Sequence, residues 1–264
     1  MTIDSQPGMR TSIGRSTSDN IWVQGYPLAD ELMGNVDFGE MFFLLVTGRL
    51  PETGEARVFN AILVALADHG LTPTALAARL TYTGAPDAIQ GAVASGILGA
   101  GSVFLGVLEG SGRMLRSAAP TKRMKDEDLQ KLASQTVAIQ QKATGRIPGL
   151  GHPVHKQGDP RTARLLELAR AHHLIGPHTQ LMIQAQKVAS TSGRELPLNA
   201  AGASGALLCD MGIDPGIMRG IAVVARAAGI VGHLAEEVRD PMGIQLWQIA
   251  ERESVYVTPA EAKQ

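Results

Sequence analysis

One stretch of the chain concentrates the residue types that chemistry needs: Arg146-Ile-Pro-Gly-Leu-Gly-His-Pro-Val-His-Lys-Gln-Gly-Asp-Pro-Arg161. Glycines let backbone approach a ligand closely. The stretch ends on Asp159-Pro160, a helix start, where unpaired N–H groups favour anions. Lys156 and Arg161 add charge suited to phosphate and carboxylate, and an arginine can grip a carboxylate with two hydrogen bonds. His152 sits in the glycine-rich turn, where its ring can reach a substrate as acid or base. Together these residues point to a site for an anionic small molecule; the plainer alternative is a polar surface loop with incidental histidines. Among the other histidines, His172, His173 and His178 cluster near a helix end, but no cysteine or acidic residue completes a zinc spacing, so no metal is expected. His155 has no assignable direction, and His233 in Val-Gly-His-Leu reads as a packed or capping residue. Gly99-Ala-Gly101 is no dinucleotide fingerprint, because no strand precedes it and the third glycine is misplaced.

The elements that must position these residues are helices. Asp37 precedes the apolar run Phe38 to Val46, which Gly48 and Pro51 close. Thr53 can cap a helix with Val58, Ile62, Leu63 and Leu66 on one face, ending near Gly70. Thr72-Pro73, Asp159-Pro160 and Asp214-Pro215 each pair a capping residue with a first-turn proline. After Asp159 come Leu165, Leu166 and Leu168. After Asp214, Ile217, Ile221, Val224 and Ala228 have the spacing of a buried helical face. Strand signals are limited to Ile21–Val23 and Val255–Val257, too little for a sheet-based domain. The Gly- and Ala-rich run Ile89 to Leu108 reads as buried helix rather than a membrane span. Lys122 to Asp128, dense in charge after Ala119-Pro120, reads as a helix start that opens a second domain; the alternative is a solvated loop.

The bulk composition agrees. At 264 residues and 44% apolar the chain can bury a sizeable core. A net charge of −1 with both signs mixed gives no electrostatic case for a nucleic-acid or membrane partner. Cys209 is the sole cysteine, so no internal disulfide can form, and a cytoplasmic setting is expected. No secretory signal is visible at the N-terminus.

The loop has a wider context. Its Gly-Leu-Gly-His turn, followed nine residues after the histidine by the arginine of Asp-Pro-Arg, resembles the signature loop of the citrate synthase superfamily. Gly25-Tyr-Pro-Leu and Leu45-Val-Thr-Gly-Arg-Leu-Pro51 resemble that superfamily's N-terminal helices. Thr11-Ser-Ile-Gly and Ala67-Asp-His-Gly70 are more similar to its citryl-CoA lyase members, including the lyase module at the C-terminal end of ATP-citrate lyase. Leu198-Asn-Ala-Ala-Gly202 and Val224-Ala-Arg-Ala-Ala-Gly229 fall where the last active-site elements belong. The resemblance runs from about Thr11 to Val257.

It implies an all-α fold, with a large helical domain (residues 1–119 and 213–264) and a smaller one (120–212) that closes over coenzyme A. It also implies a homodimer or higher homo-oligomer. Residue by residue, it makes His152 the proton-shuttling group on a substrate hydroxyl or carbonyl, and His69 a second catalytic histidine. It makes Arg161 and Arg226 carboxylate-binding arginines and sets Asn199 and Phe104 against the substrate. Pro148, Gly149, Leu150, Gly151 and Lys156 would contact coenzyme A, which enters as the acyl-CoA substrate; di- or tricarboxylates are the other expected ligands.

Three departures bear on the activity. Phe104 stands where synthases place a histidine that polarises the thioester, and lyase modules share this phenylalanine; it cannot donate to an enolate oxygen. Ala201 stands where a proton-moving aspartate is expected, with Asp210, Glu236 and Glu237 the nearest carboxylates in sequence. Ile244-Gln-Leu-Trp-Gln-Ile249 lacks the arginine that usually reaches a substrate carboxylate there. The expectation is a carbon–carbon lyase that cleaves citryl-CoA or a related 3-hydroxyacyl-CoA. The alternatives are a non-catalytic or altered-substrate acyl-CoA-binding homologue, or a citrate synthase carrying out acyl transfer.

Overall fold

A computed structural model describes residues 10–121, 124–151, 158–190 and 195–258. The chain divides into two compact units, Met1–Leu63 with Leu108–Met218, and Val64–Val107 with Arg219–Gln264. The segment 120–212, expected as a smaller domain, falls wholly inside the first.

The first unit begins with a small antiparallel sheet of β1 (Gly14–Ser16), β2 (Ile21–Val23) and β3 (Tyr26–Pro27), in that order. Gln24 and Gly25, at φ 50° and 89°, make the two-residue turn between β2 and β3, where both positions need positive φ. Arg15 lies opposite Trp22 and its guanidinium covers the indole at 4.3 Å. One π-helical turn, Leu28–Leu32, follows. Helix α1 (Phe38–Thr47) starts on a reciprocal cap: Glu40 N donates to Asp37, and Asp37 N donates to Glu40. Gly48 ends it at φ 77°.

The remaining helices are α2 (Thr53–Ala67), α3 (Pro73–Gly84), α4 (Ile89–Leu98), α5 (Gly106–Ala118), α6 (Asp126–Thr144), α7 (Pro160–Ala171), α8 (Pro177–Ser190), α9 (Ala200–Asp210), α10 (Pro215–Arg239) and α11 (Gly243–Glu253). The all-α expectation therefore holds. The charged stretch does open a helix, α6, whose first turn carries Asp126, Glu127 and Asp128 against the positive end of its dipole. Within the first unit, α6, α8 and α9 bury Val137, Leu181, Met182, Ala203 and Ala206 with Met114 and Leu115 of α5. In the second, α3 packs on α4 and α11, and Ala78, Ala92, Ile230 and Leu234 form its apolar centre.

Several expectations are corrected. Val255 and Tyr256 form no strand; they are irregular and strongly exposed, and among the described residues no strand pairs with them. The run Ile89 to Leu108, expected as buried helices, is only partly buried. It breaks into α4, a turn and the start of α5, and Leu98 and Val103 are more than three-quarters exposed. On α10 the buried stripe is Met218, Ile221, Ala222, Ala225, Ile230 and Leu234, rotated from the expected face; Ile217 is 43% exposed. This helix is apolar on most sides, so periodicity gives its pitch but not its phase. α10 is long and apolar enough to cross a membrane. Its Ile230 and Leu234 nevertheless pack on Ala78 and Ala92, and its Glu237 is tied to a buried arginine.

That arginine, Arg79 of α3, is fully buried. Its Nη1 donates to Glu237 at 2.8 Å, and its Nη2 is paired with Glu236. The Glu237 carboxylate also accepts from Met242 N and Gly243 N at the start of α11. One buried pair thus joins α3, α10 and α11. Removing one partner of such a pair strands the other charge away from water. Arg79→Leu is expected to lower stability by about 3–5 kcal/mol. Arg164→Ala, in the exposed pair with Glu167, should cost less than about 1 kcal/mol. Chemical denaturation of both variants measures the difference.

Candidate active site

The glycine-rich loop enters the first unit as a short backbone bridge. Leu150 pairs antiparallel with Leu198: Gly151 N donates to Pro197 O at 2.7 Å, and Asn199 N donates to Gly149 O at 3.0 Å. The Asn199 side chain adds a third link, Nδ2 to Gly151 O at 2.8 Å, while its Oδ1 caps α9 by accepting from Gly202 N at 2.9 Å. Both polar ends of Asn199 are therefore used within the protein. These bonds shape the loop and fix the direction of the amide.

Gly149 and Gly202 explain each other. A Cβ on Gly149 would lie 2.5 Å from Gly202 Cα, and one on Gly202 would lie 2.6 Å from Gly149 Cα. Two backbones cross here with no room for a side chain, and Gly149 has φ 89° besides. The sequence gives both glycines but not their contact, which spans more than fifty residues.

Asp159 is the electrostatic centre of this group. It is 4% exposed, caps α7 by accepting from Arg161 N at 3.0 Å, and holds the Arg161 guanidinium through Nε (3.0 Å) and Nη2 (2.8 Å). It also accepts from Ala200 N, the first residue of α9, at 3.0 Å. One carboxylate thus serves two helix N-termini and one arginine. Burial alone would raise its pKa, but the hydrogen bonds from Arg161 and Ala200 outweigh that and hold it below the ordinary carboxylate range. The Asp-Pro pair announces the cap; the second helix on the same carboxylate leaves no sequence signal. Arg161, expected to take a ligand carboxylate, keeps a quarter of its side chain exposed beside this internal one.

The second unit gathers another set. Helix α2 ends at Ala67, and His69 is exposed in the turn that follows. Asp68 closes that turn: one oxygen accepts from Gly70 N at 2.9 Å, the other meets His233 Nε2 at 2.9 Å. Burial pushes the Asp68 pKa up, and the Gly70 and His233 hydrogen bonds bring it below the ordinary range. Arg226 donates from Nε to Leu66 O at 3.2 Å, capping the end of α2. Gly229 lets α10 touch the same place, since a Cβ there would meet Ala67 O at 2.0 Å. So Arg226, Gly229 and His233 lie along one stripe of α10, against the segment that carries His69. Phe104 lies in the turn before α5, half exposed.

His152 and Lys156 lie outside the described residues. The carboxylates nearest Ala201 in sequence, Asp210, Glu236 and Glu237, each have partners of their own. Asp210 accepts from Gly176 N, His178 N and Thr179 N at the start of α8, and Glu236 and Glu237 are committed to Arg79. Among the described residues, no three His, Cys, Asp or Glu side chains form a metal-holding group.

The sequence pattern of the citrate synthase C-terminal domain matches residues 51–246. The fold is similar to that of citryl-CoA lyase from Hydrogenobacter thermophilus, with a TM-score of 0.82 and 30% identity over 97% of this chain and 99% of that one. It is similar also to ATP citrate lyase from Methanothrix soehngenii, solved in complex with citrate and coenzyme A, with a TM-score of 0.78 and 22% identity over 98% of this chain and 43% of that one. In sequence, it is 24% identical over 242 residues to the probable ATP-citrate synthase of Dictyostelium discoideum, matching 86% of this chain. It spans 38% of that protein's length.

Two outcomes are expected from the first group. Gly149→Ala should cost about 1–3 kcal/mol through overpacking, read as a lowered denaturation midpoint. The depressed Asp159 pKa contributes stability that is present above its unfolded value, about 3.9, and lost as pH falls through the folded value. Melting temperature against pH should therefore fall less steeply below about pH 4 in Asp159→Asn than in the parent, from a lower starting point.

Proposed function

The chain belongs to the citrate synthase family, and we propose that it is a citryl-CoA lyase, cleaving citryl-CoA or a related 3-hydroxyacyl-CoA to acetyl-CoA and oxaloacetate or a similar carbonyl product. The observation that carries this reading is the near end-to-end match, in both directions, with the Hydrogenobacter citryl-CoA lyase. Phe104 supports it against a synthase, because the family's lyase modules resemble this chain in carrying a phenylalanine where its synthases carry a histidine.

In this reading the reaction is a retro-aldol cleavage. His152 takes the proton of the substrate's 3-hydroxyl. The oxygen closes to a carbonyl, the adjacent carbon–carbon bond breaks, and its electron pair becomes the enolate of acetyl-CoA. A proton delivered to that carbon completes the product. Ala201 cannot deliver it, and the carboxylates nearest it in sequence have partners of their own, so the substrate's own displaced proton or solvent is the source. Arg161 and Arg226 hold carboxylates, and His69 contacts the citryl group. Pro148 to Gly151 and Lys156 face coenzyme A, which the enzyme uses as acyl-CoA substrate. The loop's internal bonds through Asn199 support a fixed rather than an adaptable surface for it. Closure over coenzyme A is assigned to residues 120–212.

A homodimer or higher homo-oligomer belongs to the same proposal. Val231, Val238, Ile244 and Trp247, each 47–62% exposed near the C-terminal end, support it. A cytoplasmic setting belongs to it too, supported by Cys209 being the sole cysteine, which leaves no internal disulfide to form. A second reading, an acyl-CoA-binding homologue without activity or with another substrate, is favoured by Ala201 alone.

Mass spectrometry of the purified protein with citryl-CoA separates the two. The lyase reading expects acetyl-CoA and oxaloacetate, with the rate lowered about a hundredfold or more in His152→Ala. No cleavage, with coenzyme A still bound by calorimetry, would overturn it in favour of the second reading.

A further inference from the structure

We propose that His233 is a positioning residue for His69, holding the Asp68-His69-Gly70 turn in a single geometry through a tautomer that Arg79 enforces. The role of His69 rests on the lyase reading above; the placement of its turn does not.

His233 is a bridge between two groups of fixed character. Its Nδ1 lies 3.1 Å from Arg79 Nη2, and its Nε2 lies 2.9 Å from Asp68 Oδ1. A guanidinium has only donors, so Nδ1 must accept and carries no proton. The ring proton then sits on Nε2 and is donated to Asp68. Arg79 cannot drift to another arrangement. It is fully buried, and Glu237 pins it while itself accepting two backbone N–H groups at the start of α11.

The effect reaches His69 through Asp68. Its carboxylate divides its work: Oδ1 takes His233, and Oδ2 takes Gly70 N at 2.9 Å. His69 is flanked by these two fixed points just beyond the last turn of α2, and its own backbone N–H also leans on the Asp68 carboxylate. Gly70 takes φ 76°, a turn that would relax if its N–H lost its acceptor. The buried ion pair therefore sets the direction of an exposed histidine ten residues from Arg79 in sequence. A displacement of about 1 Å at a reacting group can cost a hundredfold in rate.

The test compares wild type, His233→Phe, His233→Gln and Asp68→Asn. Citryl-CoA cleavage and the His69 ring resonances are followed in each. His233→Phe is expected to lower kcat about a hundredfold with KM changed by less than about threefold. His233→Gln should recover most of the loss, because the glutamine Nε2 donates from nearly the same place. Asp68→Asn, at a half-exposed position that leaves Arg79 untouched, should lower kcat at least about tenfold. The locked tautomer demands an acceptor facing His233, so the amide must turn its donor toward Gly70 N. A His233→Phe variant with parental kcat, a glutamine variant no better than phenylalanine, or an Asp68→Asn variant with parental kcat would overturn the proposal. If His233→Phe does not fold, Asp68→Asn decides. If the wild type cleaves no citryl-CoA, the lyase reading fails and the resonances decide alone: His69 should move in His233→Phe and Asp68→Asn and stay in His233→Gln, and an unmoved His69 in all three overturns the proposal.

Discussion

A buried carboxylate with four donors on it organises the glycine-rich loop's surroundings. Asp159 accepts from the first turn of α7, from the first residue of α9 and twice from Arg161. Charge-assisted bonds of this kind are roughly twice as strong as neutral ones, and they offset the cost of taking the carboxylate out of water. Because α9 begins on Asp159, Asn199 is placed to grip the loop, and Gly202 is placed to let Gly149 pass. Remove the carboxylate and two helix starts lose a shared anchor at once.

The second unit repeats the logic with the charges exchanged. There a buried cation, Arg79, is the centre, and carboxylates and a histidine surround it. In each unit a residue type suited to chemistry stands at the deep ion pair: Arg161 as the partly exposed member of one, His69 near the edge of the other. Rigid support one layer behind an exposed group is what gives that group a fixed direction.

Much of this was readable in advance, and the reasons are local. Helix starts announce themselves because a cap and its helix are neighbours in sequence: Asp37 with Glu40, Asp159 with Pro160, Asp214 with Pro215. Thr72 shows the limit even there, since α3 begins after it while its hydroxyl turns to Thr74 rather than to the helix backbone. The candidate residues were legible by resemblance to a family loop, but their support was not. Gly202 and Gly229 each answer to a backbone far away, and His233, read from sequence as packing, binds partners more than 150 residues distant. The buried face of α10 was misphased because Ile217, Val224 and Ala228 are as apolar as the residues actually covered, and only the partner surfaces choose between faces.

The stripe on α10 carries a constraint of another kind. Arg226, Gly229, His233 and Glu237 follow one another at steps of three, four and four along a single face, and each meets a different point on α2, its following turn or α3. Side chains at such positions can be exchanged one at a time, with graded effects. The number of residues between them cannot change, because a single insertion would rotate everything beyond it by about 100°. Over evolutionary time this stretch of helix should behave like a ruler: tolerant of substitution at its outward positions, and closed to gain or loss of length.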